Sequence, residues 1–195
     1  MRVPAWLEHL RLDKGRPVPY VNRWGPERPE RFSIRPDRHA AGRLAVFDGD
    51  ADETVPDFTA QNLQRQRECM VAGLCQVCAR EVPWSRRFLV LSSVSIGKAT
   101  IEGIPWEQVV ITEPWLDEAC ARLAVDVCPA LIRRGRDADR TQVHITSEQQ
   151  VVLTMSVGTV AGPLKEESER VLPAMWAKAL LLGVDIRTAP NEPTT

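Results

Sequence analysis

Cys75 and Cys78, in the run Leu74-Cys75-Gln76-Val77-Cys78, are the residues whose type and spacing most directly suggest chemistry. A two-residue gap lets one tight turn present two thiolates to a tetrahedral metal such as zinc, with Zn–S bonds of about 2.3 Å. A third cysteine, Cys120, lies where a helix can start, and Asp117 stands three residues before it on the same helical face. A fourth, Cys128, comes eight residues after Cys120. On a continuous helix that is about 12 Å along the axis, whereas thiolates sharing one zinc sit about 4 Å apart. Cys128 can join only if the helix unwinds between Val125 and Val127, a disruption that Pro129 encourages. A fourth thiolate suits zinc better than a carboxylate. The expected ligands are therefore Cys75, Cys78, Cys120 and Cys128, with Asp117 as the alternative fourth. Cys69 sits on the segment leading into the pair and is not expected to bind. Apolar burial of metal-free cysteines and dithiol redox chemistry are the competing readings. The redox reading needs a pair that opens a helix, and this pair follows one.

The elements that must position these residues can be read from local signals. A helix is expected from Thr59, as N-cap, to Met70, with Gly73 as its stop. Apolar runs over 87–94 and 108–111 read as strands. A second helix should begin near Asp117 and end by Pro129. Residues 142–145 and 150–157 are expected to form a hairpin. A last helix is expected over 166–182, with Val171, Leu172, Met175, Trp176, Ala179, Leu180 and Leu182 on one face as core or as a dimer surface. Before all of this comes a lead segment, 1–58, punctuated by Pro17, Pro19, Pro26, Pro29 and Pro36, with short strands possible at 32–34 and 44–47. The expected class is α+β: a treble-clef-like cysteine knuckle with β-hairpins and helices in a domain over 59–188, a Pro-rich lead segment packed on it, and a disordered tail at 189–195.

Three stretches, PVPYVNRWGPE, LCQVCAREVPW and EPWLDEACARLAVDVCPAL, together resemble a group of uncharacterised four-cysteine proteins encoded by actinobacteria and their phages. The resemblance covers residues 17–131 in patches. It implies a zinc site on Cys75, Cys78, Cys120 and Cys128 and brings no established activity. The chain departs from the group's pattern at Ala79, where glycine usually follows the knuckle, and at Asp117, where histidine is usual.

Little else competes as chemistry. No nucleophile elbow, phosphate loop or dinucleotide fingerprint is present, and His9, His39 and His144 are scattered. The formal net charge is −1, which excludes a global field steering the chain toward polyanions. Locally, however, arginines interleave with Tyr20, Trp24 and Phe32, and Arg23, Arg28, Arg31 and Arg35 are the expected phosphate contacts if nucleic acid is bound. Glu27, Glu30 and Asp37 supply local counter-charges. No run approaches the roughly 18 apolar residues of a membrane helix, and the opening MRVPAWLEHLRLDKGR has no apolar signal core. With five cysteines and no disulfide pattern, the expectation is a cytoplasmic, zinc-containing binding or interaction protein, touching nucleic acid or another protein rather than a membrane. The alternative is an enzyme or small-molecule binder with a pocket between the lead segment and the β region.

Overall fold

A computed structural model describes residues 3–25, 32–49, 55–91, 97–101, 104–127, 141–145, 149, 151–160 and 162–181. The chain is mixed α+β, with three helices among the described residues and several small sheets.

The main sheet is organised around β12 (Ala174–Leu181). β11 (Val151–Val157) runs antiparallel along one edge of β12, from Val151↔Leu181 to Val157↔Ala174. Two strands share the opposite edge. β5 (Leu44–Phe47) meets it in parallel at Ala174↔Ala45, and β9 (Ile104–Ile111) meets it antiparallel from Ala179↔Ile111 to Leu181↔Val109. β4 (Ser33–Pro36) extends the sheet beyond β5, and β8 (Gly97–Ile101) extends it beyond β9.

Between β5 and β9 that edge of β12 forks open, and α1 (Leu63–Ala72) plugs the gap. Its buried face carries Leu63, Gln66, Arg67, Cys69 and Met70 at helical spacing. Two of these are polar because the face meets strand backbone rather than side chains. The Gln66 amide nitrogen donates to Ala177 O at 2.7 Å and Thr112 O at 2.6 Å, and its oxygen accepts from Ala177 N at 2.9 Å. Arg67 donates to Met175 O at 2.7 Å and to the Asp37 carboxylate at 2.6 Å. Met70, Leu89, Ile111, Trp115, Ala177 and Ala179 form the apolar core beside this seam.

Three expectations are corrected here. Asn62, not Thr59, caps α1, its side chain accepting from Arg65 N, while Thr59 lies in β6 (Pro56–Gln61). The expected C-terminal helix is a short helix, α3 (Lys165–Val171), followed by the central strand. Pro173 is the reason: it cannot donate a helical N–H and disfavours helical backbone at Leu172, which turns left-handed at φ 42°. Finally, 142–145 and 151–157 do not pair. β10 (Thr141–Ile145) joins β7 (Arg87–Leu91) in a separate ladder, and β11 goes to β12.

The lead segment supplies strands inside and outside the main sheet. Its β1 (Leu12–Asp13) and β2 (Arg16–Pro17) form a tight hairpin, β3 (Asn22–Trp24) pairs with β6, and β4 and β5 enter the main sheet. The expected tail, 189–195, lies outside the described residues.

Candidate metal centre

The knuckle begins where α1 ends. Gly73 takes φ 70°, the left-handed region that favours glycine, and a Cβ there would lie 2.0 Å from Arg87 Nη2, which would have to move. Leu74 then pairs antiparallel with Glu81, Cys75 N donates to Arg80 O at 2.8 Å, and Ala79 N donates to Cys75 O at 2.9 Å. Ala79 closes the turn at φ 59°, the left-handed region that favours glycine.

The turn's amides face its sulfurs. Cys78 N–H donates to Cys75 Sγ, Arg80 N–H donates to Cys78 Sγ, and Asp117 N donates to Cys75 Sγ at 3.5 Å. Such bonds stabilise thiolate. Helix α2 (Glu118–Val127) brings the third cysteine, Cys120, on its first turn. Asp117 starts that helix, with Oδ1 accepting from Ala119 N at 3.1 Å and its carbonyl from Ala121 N at 2.8 Å. The strand-like segment before it is pinned to the knuckle by Gln76 N, which donates to Trp115 O at 2.8 Å, and by Gln76 Nε2, which donates to Pro114 O at 2.9 Å.

As a result the ligand atoms of Cys75, Cys78 and Cys120 all lie within 4.8 Å of one another, and all three residues are buried. They share an apolar cluster with Leu7, Val82, Leu116 and Ala121. Hydrogen bonds from Cys120 and Cys75, and then from the Arg80 guanidinium, hold the Cys78 thiol far below its ordinary range. The Cys120 thiol is pushed up, because its hydrogen bonds to Cys75 and Cys78 keep the proton on it and burial adds to the effect. Three thiols this close cannot all ionise without a cation, and a dication at their centre would favour all three thiolates. The donor set, soft and converging from a tight turn and a helix start, fits a thiolate-binding metal. Cys69 is buried outside this group, and burial raises its thiol pKa.

The remaining predicted residues fall differently. The Asp117 carboxylate is not in the converging group. It faces Arg86, whose Nη2 is 3.1 Å from Oδ2. Cys128 lies outside the described residues; α2 is continuous through Val127, so the unwinding that a Cys128 ligand needs is not present up to that point. Arg23 is 7% exposed and forms an ion pair with Asp48 at 2.9 Å, so it is not available to a phosphate. Arg35 is exposed on β4, with its guanidinium 4.1 Å above the Phe47 ring. Arg28 and Arg31 lie outside the described residues.

Two residues at the site were not legible in the sequence. Arg80 bonds Cys78 Sγ and lies over the Trp6 ring at 5.6 Å; its position two residues after Cys78 was the available signal. His9 Nε2 is 3.0 Å from Cys78 O across 69 positions, and nothing local announces that contact.

Among the described residues no helix is long and apolar enough to cross a membrane. Comparisons with protein-family models, curated proteins and solved structures find no match to this chain.

Proposed function

We propose that this chain is a cytoplasmic binding or interaction protein built around a structural zinc ion held by Cys75, Cys78 and Cys120 in a treble-clef-like knuckle, and related to the four-cysteine proteins of actinobacteria and their phages. The observation that carries the metal is the convergence of three buried thiols within 4.8 Å, drawn from the Cys75–Cys78 turn and from the start of a distant helix at Cys120. Zinc is favoured over other ions by three soft donors in a closed, apolar setting. Closed sites of this kind hold structure rather than carry out reactions.

For the fourth position, Asp117 is favoured over Cys128. Its backbone N–H already reaches Cys75 Sγ, and its carboxylate is held by the exposed Arg86 and by its own helix cap. An exposed ion pair of that kind is worth about 0–1 kcal/mol and is readily exchanged. Metal analysis of the purified protein before and after chelation tests the reading: one zinc per chain is expected, and a metal-free protein with an unchanged fold overturns it.

Contact with nucleic acid is proposed through Arg35 together with Arg28 and Arg31, without Arg23. The support is the exposure of Arg35 and the excess of Arg and Lys over acids in the stretch before Asp48. Replacing the three with Gln should flatten the salt dependence of binding. Absence of binding by the unmodified protein at low salt ends this part of the reading.

A further inference from the structure

The knuckle has an outer side as well as a metal-facing one. Three consecutive carbonyls of the turn, those of Gln76, Val77 and Cys78, each accept a hydrogen bond from the lead segment. Val21 N donates to Gln76 O at 3.0 Å, Tyr20 N to Val77 O at 3.0 Å, and His9 Nε2 to Cys78 O at 3.0 Å. Behind these bonds Leu7 is 0% exposed, and Val3, Trp6 and Leu10 pack against the same cluster as the three cysteines.

We propose that the knuckle is a metal-controlled latch for residues 3–18: with zinc bound it holds this segment down, and without zinc it lets the segment go. The proposal rests on the zinc reading above. The metal ties Cys75 and Cys78 to each other and to α2, which fixes the direction of the carbonyls between them. Without that tie the turn keeps its backbone bonds at Cys75, Gln76 and Ala79, but the three sulfurs no longer share a centre and Ala79 strains the turn at φ 59°. A relaxed turn scatters three acceptors that only one conformation aligns.

Release should be local. Asn22–Trp24 is held separately by β6, Asn62 N donates to Val21 O at 2.8 Å, Tyr20 is tied to α1 through Glu68 and Arg65, and the main sheet makes no use of residues 3–18. The metal-free form therefore exposes Trp6, Leu7 and Leu10 while the sheet and α1 persist. Within the segment, Val18 N donates to Arg11 O at 2.8 Å and closes the β1–β2 hairpin, so the hairpin leaves as one piece.

Limited trypsin digestion reads this directly, because Arg11 and Lys14 lie inside the latched segment and cleavage tracks local opening. In zinc-loaded protein these sites should be slow. After chelation they should be cut about tenfold faster, ahead of any site in α1, with far-ultraviolet circular dichroism largely kept. His9→Ala should speed cleavage at Arg11 and Lys14 several-fold with zinc still bound at one per chain, since His9 holds the latch and not the metal. Protein that never carries zinc removes the premise. Protein shown to lose zinc without a change at Arg11 and Lys14 overturns the latch and leaves the zinc site standing. Cleavage throughout the chain at once on chelation, or an unchanged rate in zinc-loaded His9→Ala, overturns it as well.

Discussion

The side chain of Gln66 makes with Ala177, 111 residues away, the pair of hydrogen bonds that a neighbouring strand would make: it donates to the carbonyl and accepts from the amide. It does so because β5 and β9 meet the same edge of β12 at opposite ends and leave its middle open. A buried backbone N–H and C=O without partners would cost more than burying a neutral amide that satisfies both. Arg67, the next residue, serves Met175 O in the same fork.

Gln66→Leu should therefore cost about 2–4 kcal/mol, the desolvation cost of leaving Ala177 N–H, Ala177 O and Thr112 O unpaired in the interior. Urea unfolding monitored by circular dichroism measures it. A loss below about 0.5 kcal/mol, the size of an average exposed-site change, would show that water or a neighbouring strand replaces the amide.

Zinc content should separate the candidate ligands. Cys75→Ser, Cys78→Ser and Cys120→Ser should each abolish stoichiometric zinc. Asp117→Ala should weaken retention against a chelator about tenfold or more, and Cys128→Ala should leave it near that of the unmodified protein. The reverse pattern for Asp117 and Cys128 would mean that the chain folds back beyond Val127 to bring a fourth sulfur home.

Two left-handed positions flank the knuckle and should respond oppositely. Gly73→Ala adds a methyl 2.0 Å from Arg87 Nη2, and that guanidinium is held 3.5 Å above the Trp84 ring and near Trp115. A loss of at least about 1–2 kcal/mol is expected from left-handed strain before the clash is counted. Ala79→Gly removes the same strain from the turn, against an unfolded-state entropy cost of about 0.5–1 kcal/mol. It should leave stability level or raise it by up to about 1 kcal/mol. Thermal unfolding of zinc-loaded protein distinguishes the signs.

Tyr20 is the only tyrosine of the chain, so tyrosinate absorbance reports it alone. Burial, and then its 2.7 Å hydrogen bond to Glu68, push the phenol above its ordinary value of 10.0. The fold favours the protonated phenol. Its contribution to stability is therefore fully present below pH 10 and is lost as the pH rises beyond that value. In the folded protein tyrosinate should appear later than in the unfolded chain. Glu68→Gln should bring the two titrations closer without merging them, since burial is the larger cause. Coincident curves in the unmodified protein would count against the buried Tyr20–Glu68 contact.

What the sequence by itself determined was local. The Cys75–Cys78 turn, the stop at Gly73, the start of α2 beside Asp117 and Cys120, and the strands at 44–47 and 87–91 all follow from constraints spanning a few residues. These are a two-residue gap, a glycine that can turn left-handed, an acidic cap, and β-branched or aromatic runs. The class, α+β, came with them. Tertiary structure decided which residues meet. Residues 174–181 carry apolar positions compatible with a helical face, and they became the central strand because Pro173 ends α3 and because β5, β9, β11 and Gln66 supply hydrogen-bond partners on both edges. Arg23, read as a surface cation, went inside because Asp48 waits there to neutralise it. His9 came to the knuckle from 69 positions away through the packing of Trp6, Leu7 and Leu10 on the cysteine cluster. Backbone preferences are set by neighbours in sequence and can be read there. Partners for buried polar groups are set by neighbours in space, and those exist only once the chain has closed on itself.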